Sequence, residues 1–289
     1  MNNVSFIKQT QVYFGKVTRI ALREKAWKFI AFAAIISFIV ATVTGENMFQ
    51  NFEATKSGFF TLASACIWLG IFNSIQSICK EHDIIRSEYR QGMKLSSYIC
   101  ANVMWQAVLC LVQSIVIFVF CLVFGFFSDS PTEGVMLPAS MEYFITIYLL
   151  TFGSAVLGIM VSSISGTPLT AMTIMPFVLI LQLIMCGVLF ELEEGGFADI
   201  ISDVTYSKWG MSAFGGTANL NSLDYKIMTM SEVSDNKLLV NALEGCFKSV
   251  DAYDPYVENV LGSWAMCIVI TIASAGISIL GLKIKNRDS

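Results

Sequence analysis

Charged residues are scarce in this chain of 289 residues: they make up 14% of the sequence, against 55% for hydrophobic residues. A soluble domain of this length carries about 25% charged residues. Histidine occurs once, at His82, and no cysteine pair has zinc-ligand spacing, which excludes a histidine-based metal cluster or catalytic triad. No stretch matches the G-x-x-x-x-G-K-[ST] phosphate-binding loop. These absences predict a chain that is not an enzyme, with no metal, no cofactor and no ATP site of its own.

Long uncharged runs take the place of the missing charges. They cover five stretches: 29–45, 57–79, 95–128, 143–190 and 259–282. About 20 apolar residues cross a hydrocarbon core of about 30 Å, so the run 143–190 is two spans, separated by a turn at Ser165–Pro168. The sequence therefore predicts an all-α membrane protein with six transmembrane helices. We place these near 28–44, 58–79, 96–127, 143–165, 168–190 and 260–282.

Lysine and arginine are distributed unequally between the two sides that these spans define. Thirteen of the 18 lie on one side: six in the N-terminal 28 residues, four in 80–94 and three in the C-terminal tail. Positively charged loops mark the cytoplasmic side. The prediction is a multi-pass protein of the plasma (inner) membrane, with cytoplasmic N- and C-termini.

The segments between the spans complete the predicted organisation. Residues 1–27 form a cytoplasmic amphipathic helix, with Tyr13 on its apolar face and Lys16 on its cationic face, lying in the lipid interface. The remaining divisions are transmembrane helices 1–5 over 28–190, an extracytoplasmic region at 191–259, and helix 6 with a tail at 260–289.

The extracytoplasmic region leaves two questions open at this point. Residues 191–220 mix apolar residues with glycine, serine and asparagine, which suits either a helix that re-enters the outer leaflet or a small cap on the spans. Cys246 is the one cysteine outside the spans, so it is either a free thiol or a bridge between two copies.

The spans almost entirely lack ionisable residues, which argues against a proton- or ion-coupled transporter. A pore-forming channel is also disfavoured, because no charged or repeated filter residues are present. The polar residues that remain are amides, which either hydrogen-bond one helix to another or line a polar spot in an apolar cavity. Pro176 would kink a span that moves or bounds a cavity. The candidate substrate path comprises Phe72, Asn73, Gln76, Met175, Pro176 and Gln182.

The segment 80–94, KEHDIIRSEYRQGMK, is a dense mixed-sign stretch between two uncharged ones. Its apolar residues recur at steps of four and five, and Asp83 and Arg86 are spaced to pair on one helix face. Gly92 falls where such a helix should end. A short, charged, amphipathic helix on the cytoplasmic surface suits docking to a protein better than anchoring to lipid. A solvated loop remains the alternative.

This segment, extended to Tyr98, resembles the cytoplasmic loop of ABC-2-type ABC transporter permeases, especially those of the G subfamily. The residues that carry the resemblance are Glu81, Arg86, Glu88, Gly92 and Tyr98. The order of the elements is similar too: an amphipathic connecting helix, six spans and a large last ectodomain.

The resemblance implies a permease in which spans two and five of two copies line a central path. It implies that the loop is a coupling helix that contacts an ATPase. The coupling residues would be Glu81, Asp83, Arg86, Glu88 and Gly92. Since few residues precede the first span, we expect that ATPase, with its ATP and magnesium, to be a separate chain. The other expected partners are membrane lipids and a second permease copy, as a C2 homodimer or a heterodimer, and no nucleic acid.

These observations predict the membrane subunit of an ATP-driven exporter whose cargo is amphipathic or hydrophobic, because the spans offer no charge to bind an ionic one. The alternative is a non-transporting membrane scaffold or sensor with an acidic ectodomain. An ATPase gene beside this one would separate the two.

Overall fold

The computed structural model describes residues 5–44, 48–190, 196–223 and 250–287. Within these residues the chain forms α-helices and no strand, which confirms the all-α prediction. The helices, numbered in chain order over this part of the chain, are α1 (Phe6–Arg23), α2 (Trp27–Thr44), α3 (Phe52–Ser74), α4 (His82–Arg90), α5 (Leu95–Val123), α6 (Ala139–Ile164), α7 (Pro168–Ile184), α8 (Phe197–Ser202), α9 (Tyr206–Ala218) and α10 (Val257–Arg287).

Five of the helices are long and apolar enough to cross a membrane: α2, α3, α5, α6 and α10. The sixth predicted span, α7, has only 17 residues. At a rise of 1.5 Å per residue it is about 26 Å long, slightly less than a hydrocarbon core of about 30 Å. The membrane fold is thus confirmed, whereas the count of six spans stays a prediction.

Local signals explain where several helices begin and end. The predicted turn between spans four and five lies between α6 and α7, where the Thr167 hydroxyl accepts from the Thr170 N–H at 3.2 Å and Pro168 is the first helical residue. The predicted start of span two at 58 is wrong: α3 begins earlier, because Asn51 caps it by accepting from the Ala54 N–H at 3.0 Å.

The other boundary corrections have similar causes. The N-terminal helix is shorter than 1–27 within the described residues, since Lys25 has a φ of +63° and separates α1 from α2. Span three ends at Val123 rather than 127, followed by Gly125 with a φ of +78°. Span five ends at Ile184 rather than 190, and Gly187 follows with a φ of +72°.

The centre of the fold is α6, which packs against α3, α5, α9 and α10. Small residues let α3 and α6 approach closely. A Cβ atom on Gly70 would overlap the Ser154 hydroxyl and the Thr151 carbonyl, and one on Gly158 would overlap the Ser74 hydroxyl. In lipid, burial of apolar surface gives little driving force for helix association. Close packing through small residues therefore stabilises a helix pair.

Helix α9 lies among the spans and is buried along nearly its whole length. It runs opposite to α6, since Tyr206 at its start packs on Gly153 and Thr217 near its end bonds Glu142. The Tyr206 hydroxyl also lies 3.1 Å from the Thr271 hydroxyl of α10. Among the described residues α9 packs against α3, α6 and α10, and both alternatives for 191–220, a re-entrant helix and a cap, stay predictions. Cys246 lies outside the described residues.

A buried carboxylate joins three segments at the N-terminal end of α6. Glu142, in the first turn of α6, is fully buried, although the uncharged run begins one residue later. One of its oxygens accepts from the backbone N–H groups of Met136 and Leu137 at 2.7 and 2.9 Å, and the other accepts from the Thr217 hydroxyl at 2.8 Å. A single side chain thereby joins the α5–α6 loop to α9.

We expect Glu142→Ala to destabilise the protein by about 2 kcal/mol, because buried donors left without an acceptor cost about 1–3 kcal/mol. The change is measured as a lower melting temperature of the detergent-purified chain. Glu133→Ala is the matched control, since Glu133 is exposed on the same loop. Equal melting temperatures for the two variants would contradict this role of Glu142.

Candidate functional site

The mixed-sign segment folds as a single 3-10 turn, Cys79–Glu81, followed by α4. The ordered helix is therefore shorter than the predicted 80–94. It ends in a Schellman motif: Gly92 has a φ of +99°, its N–H donates to Tyr89 O at 3.0 Å, and the Met93 N–H donates to Glu88 O at 3.1 Å. Gly92 thus fixes the length of α4 and turns the chain towards α5.

The inner face of α4 is tied to α1 and α5 by an ion cluster of Lys16, Glu81 and Glu88. The Lys16 ammonium lies 2.9 Å from a Glu88 oxygen and 4.0 Å from a Glu81 oxygen. Glu81 also accepts from the Tyr98 hydroxyl at 2.8 Å. Because these side chains are less than one-third exposed, solvent screens the cluster less than a fully exposed pair.

Packing reinforces the ion cluster. Tyr13 of α1 meets Tyr98 of α5 edge to face, with ring centroids 5.8 Å apart. Burial, and then the neighbouring Glu88 carboxylate, raise the pKa of the Tyr13 hydroxyl to about 12. Ile85 of α4 is fully buried in a cluster that includes Tyr98 and Leu282. The connecting helix, the short helix and the start of α5 therefore form one packed unit.

The other face of α4 is open and polar. It forms a groove, here called the outer groove, that is lined by Asp83, Arg86, Ser87, Arg90 and Gln91. All of these residues except the half-buried Arg86 are exposed. Of the residues predicted to couple to an ATPase, Glu88 lies on the inner face of α4 and Glu81 in the turn that precedes the helix. Asp83 and Arg86 lie in the groove, and Gly92 follows the end of the helix.

Amide side chains link α2, α3 and α5 by hydrogen bonds. Asn73 and Gln113 form a reciprocal pair: the Asn73 amide donates to Gln113 Oε1 at 2.6 Å, and the Gln113 amide donates to Asn73 Oδ1 at 3.2 Å. The Gln113 amide also donates to Phe29 O at 3.0 Å. These bonds correspond to the helix-to-helix alternative for the span amides.

A cavity of about 260 Å³ lies between α1, α2, α3 and α5, with one contact from α7. Three of the predicted path residues line it: Phe72, Asn73 and Gln76. The other three lie elsewhere. Met175 is buried in the main core, Pro176 is exposed on α7, and the Gln182 side chain accepts from the first N–H groups of α9. The role of all six in a substrate path stays a prediction.

Three residues of the site, Lys16, Gln9 and Gln106, were not predicted from the sequence to belong to it. Lys16 was assigned to a lipid-facing cationic stripe, yet it binds two carboxylates of the α3–α5 connection. The Gln9 side chain accepts from the Lys94 N–H at 3.1 Å, at the start of α5. Gln106 lines the cavity. The available signal for Lys16 was the presence of three acidic residues in the segment 80–94, which the excess of positive charge on the cytoplasmic side does not explain.

Metal ligation was considered for the same residues. In the part of the chain that the structure describes, no group of three or more His, Cys, Asp or Glu side chains is arranged to hold a metal ion. The chemistry of the site therefore rests on ion pairs, amides and apolar surface.

Comparisons with known proteins identify the family of the chain. The model of the family described as ABC-2 type transporter matches residues 9–217, which include most of α1, the ion cluster, the outer groove and nearly all of α9. The chain is also similar to the ABC transporter ATP-binding/permease protein Rv1747 of Mycobacterium tuberculosis, with 28% identity over 159 residues. That match covers 54% of this chain and 18% of the mycobacterial protein. The chain belongs to the ABC-2 type transporter family, as a multi-pass membrane permease.

Proposed function

We propose that this permease is the membrane subunit of an ATP-driven exporter, which moves an amphipathic or hydrophobic cargo across the plasma membrane. A separate ABC ATPase would supply ATP and magnesium and dock on α4. The observation that carries the proposal concerns the two faces of α4. One face forms the open outer groove, and the opposite face is bonded to α1. The mycobacterial relative is an ABC transporter ATP-binding/permease protein, which supports the link to an ATPase.

The contacts of α4 supply a route for mechanical coupling. A force on the outer groove acts on a helix of nine residues, too short to bend. Its inner face is bonded to α1 through Glu88, and Glu81, directly before the helix, is bonded to Tyr98 of α5. The turn before α4 is fixed as well, because the Ser162 hydroxyl of α6 accepts from the N–H groups of Ile78 and Cys79 at 3.1 Å. Displacement of α4 therefore moves α1, α5 and α6 together, and transport requires two such arrangements with different affinity for cargo.

The cargo class follows from the chemistry of the spans. The cavity walls are mostly apolar side chains and neutral amides. The charged lining residues are Glu24, which follows α1, and Lys80 and Glu81 in the 3-10 turn before α4. Such a surface suits a molecule with a large apolar body and few hydrogen-bonding groups. An ionic cargo would find no compensating charge and would have to be desolvated at high cost.

A second copy of the chain would complete the path. The outward faces of α3 and α7 expose large apolar side chains, among them Phe72 at 42% and Phe177 at 70%. Two-fold pairing is the commonest symmetry of homo-oligomers, and it would place these faces together. In this arrangement both termini and α4 face the cytoplasm, in agreement with the distribution of lysine and arginine.

The test is affinity purification of the tagged full chain from its native host in mild detergent, followed by mass spectrometry. We expect an ABC ATPase in near-equal amount with the wild type, and at least tenfold less when both groove arginines are replaced, in Arg86→Ala with Arg90→Ala. Each charge buried in an interface contributes about 2 kcal/mol or more, and about 1.4 kcal/mol is a factor of ten in affinity. The matched control is Arg19→Ala with Arg23→Ala, on the exposed side of α1.

Two results would contradict the proposal. Equal ATPase recovery with the groove variant and the control would exclude the outer groove as the docking site. Purification of the folded wild-type chain without any ATPase, even after cross-linking in cells, would favour the scaffold or sensor alternative.

A further inference from the structure

The cavity beside α1 has the composition of a ligand site. Its solvent end is lined by two exposed charged residues of opposite sign, Glu24 and Lys80, and its deep end is lined by Gln106 and Leu109, which are 3% and 5% exposed. A cavity of about 260 Å³ is near the lower end of the range of about 300–1,000 Å³ for small-molecule sites. It has room for one apolar chain or a small ring system.

Gln106 is the unusual group in this wall. Its amide nitrogen donates to Asn73 O at 3.4 Å, a long contact, and its Oε1 is buried and accepts no hydrogen bond from the described residues. The orientation of the amide is set by Asn73, because a flipped amide would place two carbonyl oxygens against each other. A buried acceptor without a donor carries a desolvation cost of about 1–3 kcal/mol.

A ligand group that is both donor and acceptor, as a hydroxyl or an amide is, offsets this cost: its donor bonds Oε1, and its acceptor replaces Asn73 O for the amide nitrogen. Oε1 is covered by its surroundings, so the ligand must turn the amide, by less than the half-turn that would set Oε1 against Asn73 O, and the terminal torsion of glutamine is broad. The bond given up to Asn73 O is weak at 3.4 Å. Around Gln106 the wall is apolar and aromatic, with Phe29, Phe72 and Trp105. The complementary molecule has an apolar body and one uncharged hydrogen-bond donor.

We propose that this cavity, here called the α1 cavity, is a binding site for a small amphipathic molecule that carries an uncharged hydroxyl or amide donor. The donor bonds Gln106, and the apolar body lies between α1 and α5. The molecule is either a lipid of the bilayer or a diffusible amphiphile. This inference rests on the proposed function only for the side of entry, since the open end faces the cytoplasm in the orientation given above.

The test uses a photoactivatable long-chain alcohol that carries an aliphatic diazirine, and its methyl ether, which has the same shape but no donor. The purified full chain is labelled in detergent without ATP or ATPase, and labelled peptides are quantified by mass spectrometry. We expect the alcohol to label the peptide containing Trp105 about fivefold more than the ether, as one net hydrogen bond allows.

Two variants and a control make the result specific. Gln106→Met keeps the length of the side chain and removes the acceptor, so the alcohol should fall to the level of the ether. Ala21→Phe fills the cavity from α1, so both probes should be excluded. Leu22→Phe is the matched control, because Leu22 is 65% exposed on the same helix and does not line the cavity.

Equal labelling by alcohol and ether in the wild type would overturn the proposal, as would labelling unchanged by Ala21→Phe. The source of the ligand is determined by mass spectrometry of the lipids that remain bound after purification. One lipid per chain, lost in Ala21→Phe and kept in Leu22→Phe, identifies a bilayer lipid, whereas specific labelling without a retained lipid identifies a diffusible amphiphile. Failure to recover an ATPase would leave these measurements unaffected, so the two proposals fail separately.

Discussion

Lys16→Glu reduces ATP-driven activity about tenfold or more, and adding Glu88→Lys recovers part of the loss: this is the result we expect if α1 and α4 work as one unit. The single variant replaces an attraction across 2.9 Å by repulsion from both Glu88 and Glu81. A partly buried pair contributes about 1 kcal/mol, and its reversal costs a similar amount again. Recovery in the double variant is partial, because the new glutamate still faces Glu81.

The measurement is ATP hydrolysis by the complex of permease and ATPase in nanodiscs, with the amount of complex determined separately. Lys8→Glu is the matched control, since Lys8 is exposed on the same helix. If the double variant were no more active than Lys16→Glu alone, the ion pair would have no part in coupling. If Lys8→Glu were equally damaging, the effect would come from the net charge of α1.

Gly70→Val is expected to be the most destabilising single substitution among the small residues described above. The new side chain would overlap the Thr151 carbonyl and approach the Ala155 backbone nitrogen at 2.8 Å, so α3 and α6 would have to separate. Overpacking costs about 1–3 kcal/mol, and backbone obstacles place this case at the upper end. We expect the melting temperature of the detergent-purified chain to fall by about 10 °C.

Gly276→Val is the matched control, because Gly276 lies in the transmembrane helix α10 with no atom within 4 Å of an added Cβ. Both variants make the same chemical change in a membrane-spanning helix. A similar fall in melting temperature for the two would show that loss of glycine, and not contact between α3 and α6, sets the effect.

The sequence predicted those features that depend on neighbouring residues. The uncharged runs located the spans, Ser165–Pro168 located the turn between α6 and α7, and Gly92 located the end of α4. Each of these signals lies within one helical turn of the structure that it produces. The start of α3 was missed because the asparagine cap lies upstream of a lysine and a glutamate that looked like loop residues.

Contacts between distant residues were not predictable in the same way. Lys16 and Glu88 are 72 positions apart, and Asn73 and Gln113 are 40 apart, so only the packed helices bring them together. Gln182 was grouped with Asn73 as a polar span residue, whereas its side chain bonds the start of α9. A single amide in an apolar helix shows that a polar partner is needed, but periodicity does not show which helix supplies it.

The bonds between Gln182 of α7 and the start of α9 couple the movements of these two helices. The side-chain oxygen of Gln182 accepts from the N–H groups of Tyr206 and Ser207 at 2.9 and 3.3 Å, and its backbone carbonyl accepts from the Ser207 hydroxyl. Buried donors of this kind are costly to release. A tilt of α7 would therefore carry the start of α9 with it, while Thr217 at the far end remains held by Glu142. Helix α9 would pivot about its end at Thr217, with Glu142 as the fixed point.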